Sequence, residues 1–253
     1  MLKRITLSAA CLVLASALVP CLAAHRHTDP GVGLNQVARI TGQPPGGEGT
    51  KDTIFGNGFE DLPVISNYDD LVEGDLGASY QYNGVFYHEV NGIGGVFPDG
   101  STFTAADVGD SLIIEDATDF FLDFPDYGSS PNTLTFGTSY VPGPDLSIGA
   151  FVRASMDLDQ PAMAVSVDLA YYENGPWGGI EFHLDAYRNG NVVGSDSLTI
   201  ADGGGRDDPT TATFQISGVE FDSLKMYATY DGQPSAPRLM IDNLTLMPAA
   251  AAP

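Results

Sequence analysis

Apolar and polar residues alternate strictly in two stretches of the second half of the sequence. The apolar residues at odd positions in the first stretch are Met163, Val165, Val167, Leu169 and Tyr171. In the second stretch, Glu181, His183 and Asp185 alternate with the apolar positions 180, 182 and 184. This period of two predicts β-strands with one face in a core. Apart from the N-terminal segment, no window shows the apolar spacing of three and four residues typical of an amphipathic helix, so we predict an all-β fold.

Short β-branched and aromatic runs, separated by Gly, Asn, Asp and Pro, continue this pattern from residue 54 onward. We predict strands near residues 54–60, 78–82, 84–90, 111–115, 132–137, 149–157, 163–172, 179–188, 191–200, 211–217, 222–230 and 237–247. Asn189-Gly190-Asn191 is a predicted hairpin turn. Many short strands at this spacing are typical of an antiparallel two-sheet β-sandwich, and we predict jelly-roll topology.

The organisation of the chain follows from changes in composition. Residues 1–24 have the layout of a secretory signal peptide, with two basic residues, an apolar run too short for a transmembrane span, and possible cleavage after Ala23 or Ala24. Residues 25–53 are rich in Gly, Pro and Gln and are predicted to be a disordered linker. No second linker interrupts residues 54–248, so we expect one domain there, followed by a tail at 249–253.

The charge of the chain excludes two classes of partner. The formal net charge is −23, and loss of Lys3 and Arg4 with the signal peptide makes it −25. Such a chain repels nucleic acid and anionic membrane surfaces. Cys11 and Cys21 both lie in the signal peptide, so the rest of the chain has no thiol chemistry. We therefore expect a monomeric protein that is extracellular or periplasmic.

Two segments at the ends of the predicted domain resemble a known group of folds. They are Asn57-Gly58-Phe59-Glu60-Asp61-Leu62 and the last-strand sequence Ile241-Asp242-Asn243-Leu244. Together they resemble the galactose-binding-like β-sandwiches, which include many carbohydrate-binding modules. Segments 131–137 and 186–190 are also similar to bacterial exoproteins with a PEP-CTERM sorting tail, although the sequence ends at Pro253 without that tail. The resemblance implies a carbohydrate-binding or matrix-binding role without catalysis.

The resemblance also implies a structural calcium ion where the first and last strands meet. Glu60 and Asp242 stand at the matching positions. Ca²⁺ accepts six to eight oxygen ligands in irregular geometry, and a cation would relieve the repulsion within so acidic a chain. The alternative is that both side chains are ordinary strand-end acids that face water.

Two groups of residues are candidates for contact with a sugar. Glu181, His183 and Asp185 project to one side of a predicted strand, as expected for a sugar-binding stripe, an acid–base set or simply a solvated face. Flat aromatic rings stack on sugars. The aromatic candidates, close to the loop at 174–179, are Tyr171, Tyr172, Trp177 and Tyr187.

Three functions are compatible with these residues. The first is a secreted, non-catalytic protein that binds an extracellular glycan or matrix component. The second is a structural or adhesive exoprotein whose loops, such as those in the irregular region 91–131, contact a protein partner. The third is a polysaccharide-active enzyme that uses Glu181, His183 and Asp185.

Overall fold

Two long antiparallel strands, β9 (Arg153–Tyr172) and β13 (Asp208–Tyr230), run side by side through the molecule. The computed structural model describes residues 62–116, 128–129, 131–137, 150–172, 178–200, 204–205 and 208–249. Pairing of the two strands extends from Thr210 opposite Tyr171 to Tyr227 opposite Arg153. Every other strand of the main sheet is connected to this pair, either directly or through one or more intervening strands.

The remaining elements are short. The strands are β1 (Val64–Ser66), β2 (Gly74–Gly77), β3 (Tyr80–Tyr82), β4 (Val85–His88), β5 (Gly95–Val96), β6 (Thr102–Phe103), β7 (Ser111–Asp116), β8 (Asn132–Gly137), β10 (Ile180–Arg188), β11 (Asn191–Ile200), β12 (Gly204–Gly205), β14 (Gln233–Pro234) and β15 (Arg238–Pro248). One four-residue helix, α1 (Ala105–Val108), follows β6. Among the residues described, no helix is long and apolar enough to cross a membrane.

The long strands belong to two layers. In the first sheet, the order is β13-β9-β15-β8-β7-β2, with β1 paired to β15, and it uses residues 210–217 and 164–172 of the long strands. In the second sheet, the order is β11-β10-β13-β9-β4-β3, and it uses residues 223–230 and 153–158. All of these pairs are antiparallel, and β5 and β6 form a separate small sheet.

Contacts across the core show that the main sheet is folded over on itself. Tyr171 of the first sheet lies opposite Thr210, and Phe182 of the second lies opposite Ala228. A straight strand would separate those two β13 positions by about 60 Å at roughly 3.3 Å per residue. The rings of Tyr171 and Phe182 are instead 5.2 Å apart, edge to face. The predicted all-β, antiparallel two-sheet sandwich is therefore confirmed, with its core between the layers.

Pro161 and Gly218 lie where the two long strands pass from one sheet to the other. Proline contributes no N–H to a ladder, and Gly218 has a φ of 78°, which favours glycine. The register of β13 against β9 shifts at this point. Because of the shift, Ala162 is buried whereas Met163 is 37% exposed. The prediction that Met163 shares the inward face with Val165 is therefore wrong.

Most predicted strands of the second half agree with the structure, but two boundaries do not. The runs predicted at 149–157 and 163–172 are both parts of β9, and those at 211–217 and 222–230 are both parts of β13. The region 91–131, predicted as loops apart from β7, also contains β5, β6 and α1. The signal peptide, the linker at 25–53, the strand at 54–60 and most of the tail lie outside the described residues.

Buried Asn91 fixes the segment that carries β5, β6 and α1 to the sandwich. Its Nδ2 donates to the backbone carbonyls of Gly109 at 2.9 Å and Ala150 at 2.8 Å. Its Oδ1 accepts from the N–H of Val152 at 2.8 Å. The Nε of Arg153 donates to the backbone carbonyl of Asn91 at 3.0 Å. One amide side chain thus satisfies backbone groups of three residues in two other chain segments, 109 and 150–152.

Replacing Asn91 with alanine is expected to destabilise the protein strongly. The substitution leaves buried donors and acceptors unpaired, which lowers the free energy of unfolding by about 2 kcal/mol or more. Asn189→Ala is the matched control, because Asn189 has a similar φ (50° against 52°) but an exposed side chain. Urea unfolding measures both variants, and equal losses of stability would show that backbone strain, rather than the hydrogen bonds, explains the effect.

Candidate functional site

The side of the second sheet that faces away from the core, called the outer face below, gathers polar and aromatic side chains from four strands. It comprises Phe86 and His88 of β4, Arg153, Ser155 and Asp157 of β9, Lys225, Tyr227 and Thr229 of β13, and Glu181, His183, Asp185 and Tyr187 of β10. The residues between them, such as Phe182, Leu184 and Met226, are buried in the core. Successive residues of each strand therefore point alternately into the core and onto the outer face.

His183 and Tyr227 form a stacked pair on the outer face. They lie directly opposite each other on neighbouring strands, with ring centroids 4.6 Å apart and planes 14° apart. The Nε2 of His183 lies 3.0 Å from the Oγ1 of Thr229 and 3.6 Å from a carboxylate oxygen of Glu181. These contacts, with that of Tyr227 to Asp185, tie both rings to neighbouring side chains of the sheet.

Asp185 lies next to this pair and accepts two hydrogen bonds from neighbouring strands. Ser195 donates to one carboxylate oxygen at 2.7 Å, and the hydroxyl of Tyr227 donates to the other at 3.1 Å. Burial, together with the charge and hydrogen bond of Asp185, raises the pKa of Tyr227 to about 12. Burial and Asp185 also raise the pKa of Tyr187. Both phenols therefore remain neutral hydrogen-bonding groups at ordinary pH.

A second ring pair lies at the β4 side of the outer face. Phe86 and His88 stack with centroids 5.3 Å apart and planes 16° apart. The Nε2 of His88 is 3.3 Å from a carboxylate oxygen of Asp157. Phe86 is 38% exposed, so part of its ring is accessible to a ligand. The sequence analysis did not select these residues, because nothing in the sequence indicates that β4 lies beside β9.

The residues proposed from sequence to contact a ligand have different locations. Glu181, His183, Asp185 and Tyr187 all lie on the outer face and are partly buried. Tyr171 is completely buried and packs on Phe182, so its ring belongs to the core and the proposal that it stacks on a sugar is wrong in this conformation. The side chain of Tyr172 and the whole of Trp177 lie outside the described residues.

Asp242, the proposed calcium ligand, is buried on the opposite side of the molecule. One oxygen accepts from the backbone N–H of Ser129 at 2.6 Å and from its hydroxyl at 3.3 Å, and the other accepts from the N–H of Asn243 at 2.7 Å. Gly128 lies so close that a Cβ at that position would overlap the carboxylate. Burial, with a smaller contribution from the charge of Asp69, raises the pKa of Asp242 to about 7 against the opposing effect of these hydrogen bonds.

The described residues supply only part of a calcium site. Glu60, the second predicted ligand, lies outside them, and the described part of the chain contains no cluster of three or more His, Cys, Asp or Glu residues suited to a metal. Asp242 meets the charge requirement, because it is a buried carboxylate that forms no ion pair with any residue the structure describes. A calcium ion there would need further oxygens from other residues or water.

Comparisons with known proteins find similarity only at the level of solved structures. No protein-family model matches it, and no curated protein matches it. Among solved structures it is similar to the CBM27-1 module of Caldicellulosiruptor saccharolyticus in complex with mannohexaose (TM-score 0.42, 11% identity, 75% of this chain and 99% of that chain). It is also similar to the K1 cleaved adhesin domain of Lys-gingipain from Porphyromonas gingivalis W83, with a TM-score of 0.39 and 11% identity over 75% of this chain and 99% of that chain.

A CBM4 structure is similar over 76% of this chain and 98% of that chain, with a TM-score of 0.26 and 14% identity. Scores and identities this low do not establish a shared family. The class of the protein, an antiparallel β-sandwich, rests on the strand topology and core described above. The resemblance to exoproteins with a PEP-CTERM tail stays a prediction.

The raised pKa of Asp242 predicts a stability that depends on pH. The folded protein holds this proton more tightly than the unfolded chain, whose carboxyl has a pKa near 3.8. The contribution is therefore complete below about pH 4 and is lost as the pH rises through about 7. We expect Asp242→Asn to remove this component from urea unfolding curves measured between pH 4 and 8. Asp231→Asn, at an exposed turn, is the control, and parallel profiles for wild type and Asp242→Asn would contradict the assignment.

Proposed function

We propose that the protein is a secreted, non-catalytic domain that binds an extracellular glycan across the outer face of its second sheet. The observation that carries the proposal is the pair of aromatic stacks, Tyr227 with His183 and Phe86 with His88, on one surface. Sugars present flat C–H surfaces between hydroxyl groups. Rings that stand on a rigid sheet among hydrogen-bonding groups suit both parts of such a ligand.

The polar groups around the rings support a ligand rich in hydroxyls. Asp185 offers carboxylate acceptors, Thr229 and Ser155 offer hydroxyls, and Tyr187 and Tyr227 offer neutral phenols. Strands of a sheet position these groups better than loops do, so little conformational entropy is lost when a ligand binds. An extended glycan can contact several of them at once.

The same geometry supports binding more than catalysis. Both carboxylate oxygens of Asp185 accept hydrogen bonds from Ser195 and Tyr227, and His183 is held between Glu181 and Thr229. These contacts fix the row to its neighbouring strands. The alternative enzyme would cleave polysaccharides with Glu181, His183 and Asp185, and product release abolished by His183→Ala would identify it. The alternative adhesive protein would bind a protein partner and no glycan.

Tyr227→Ala is expected to weaken glycan binding about tenfold, because it removes a stacking surface. Ligands found on a glycan array are titrated by calorimetry against the secreted form of the protein. Tyr227→Phe is the matched control, since it keeps the ring and loses only the hydrogen bond to Asp185. We expect it to bind nearly as well as wild type. Absence of any glycan ligand, or unchanged affinity of Tyr227→Ala, would contradict the proposed function.

We further propose that calcium stabilises the fold at Asp242, with Glu60 as its partner. The buried carboxylate, which forms no ion pair with any residue the structure describes, supports this proposal. Thermal unfolding is expected to shift to a higher midpoint in millimolar Ca²⁺ than in excess EDTA, and Asp242→Asn is expected to lose the shift while keeping the side-chain shape. Asp231→Asn and Mg²⁺ are the controls. Superimposable curves in Ca²⁺ and EDTA would exclude the ion site.

A further inference from the structure

Two cationic side chains on the outer face have no ion-pair partner among the residues that the structure describes. Lys225 lies opposite Ser155, and Arg153 is two positions along the same strand from Ser155, so the cations are diagonal neighbours on one side of the sheet. Within the part of the chain described here, neither has a carboxylate oxygen within 4.0 Å. Arg188, by contrast, pairs with two carboxylates. Adjacent like charges cost stability, and this acidic chain has many carboxylates that would neutralise them.

The carboxylates near these cations bond to other groups. Asp185 lies opposite Lys225, but its oxygens accept from Ser195 and Tyr227. Asp157 is paired with His88, on the strand beyond β9. Among the described residues, the ammonium of Lys225 and the Nη groups of Arg153 thus have no carboxylate partner, while the Nε of Arg153 donates to the carbonyl of Asn91.

The pKa of the exposed side chain of Glu89 reflects the groups around it. Ser155 donates a hydrogen bond to its carboxylate at 3.0 Å. This bond is the largest cause of the lowered pKa of Glu89; desolvation, which opposes it, comes next, and the charges of Arg153, His88 and Lys225 lower the pKa by smaller amounts. A carboxylate at this place is therefore stabilised, although the whole chain has a net charge of −23. Charges farther away than the Debye length of about 8 Å are largely screened at physiological salt.

We propose that Arg153 and Lys225, the basic cluster, select a glycan that carries an anionic group over its neutral counterpart. The group is a carboxylate or a sulfate, which share the negative oxygens that these donors bind. The inference rests on the proposed function and adds the chemistry of the ligand. The anionic group binds beside Ser155, where it competes with the carboxylate of Glu89.

Matched oligosaccharide pairs test this selectivity. They are oligogalacturonate against its methyl ester, and a sulfated galactan oligosaccharide against its desulfated form. Calorimetry at low salt is expected to show about tenfold tighter binding of at least one anionic member, as a charge-assisted hydrogen bond provides. Preference for the uronate or for the sulfate identifies the source of the charge, and either supports the proposal. The preference is expected to shrink in high salt.

Three variants locate the selectivity in the basic cluster. The affinity ratio is the affinity for the anionic member of a pair divided by that for the neutral member. Lys225→Met is expected to lower this ratio toward one without changing the affinity for the neutral ligand. Lys225→Arg is expected to retain the preference. Glu89→Gln is expected to increase the ratio, because it removes the competing carboxylate. Asp231→Asn makes the same change in net charge at an exposed turn remote in sequence, so its ratio is expected to equal that of wild type.

The outcomes separate this inference from the proposed function. Equal binding of both members of each pair, or an equal loss for both in Lys225→Met, overturns the selectivity but leaves glycan binding in place. Binding of neither member overturns both. Circular dichroism of each variant confirms that it is folded, and an increased ratio in Asp231→Asn would attribute the effect to net charge instead of the cluster.

Discussion

The continuity of β9 and β13 through both sheets is the constraint on which the rest of the structure depends. Because each long strand contributes to both layers, the register that buries Val167 and Tyr171 in the first sheet is connected to the register that buries Ala154 and Met156 in the second. A change of one residue within either half would exchange core and outer face. The shift at the bends, near Pro161, allows each layer to keep its own inward face.

That constraint explains which features the sequence could predict. Alternation along a strand is local, so the inward positions of Phe182 and Leu184 and the outward position of His183 followed directly from it. The same reasoning placed Tyr171 among inward residues, and its selection as a sugar-binding ring conflicted with that pattern. Burial resolved the conflict in favour of the core. Whether an aromatic ring contacts a ligand is predicted better by its inward or outward position in the alternation of a strand than by its closeness in sequence to other aromatic residues.

The rest of the site depends on which strands are neighbours, and the sequence does not contain that information. Phe86 and Lys225 are 139 positions apart, yet they share one surface because β4 and β13 flank the same half of β9. The turn at Asn189 and Gly190 was predictable from residue type, whereas this long-range pairing was not. The predicted burial of Met163 is wrong for a related reason, because a shift of register can be recognised only when the partner strand is known.

Electrostatics divide the sandwich into two regions of different character. On the first sheet, Asp242 is buried beside backbone N–H groups, and none of the described cations pairs with it. Its negative charge is therefore costly at neutral pH, and a proton or metal ion would relieve that cost. On the second sheet, Lys225 and Arg153 have no carboxylate partner within the described part of a chain rich in acids. In a chain with 33 acidic and 10 basic residues, charges placed at random would leave most basic side chains close to a carboxylate. Cations kept unpaired beside aromatic rings therefore indicate a surface suited to a ligand with both apolar and negative groups.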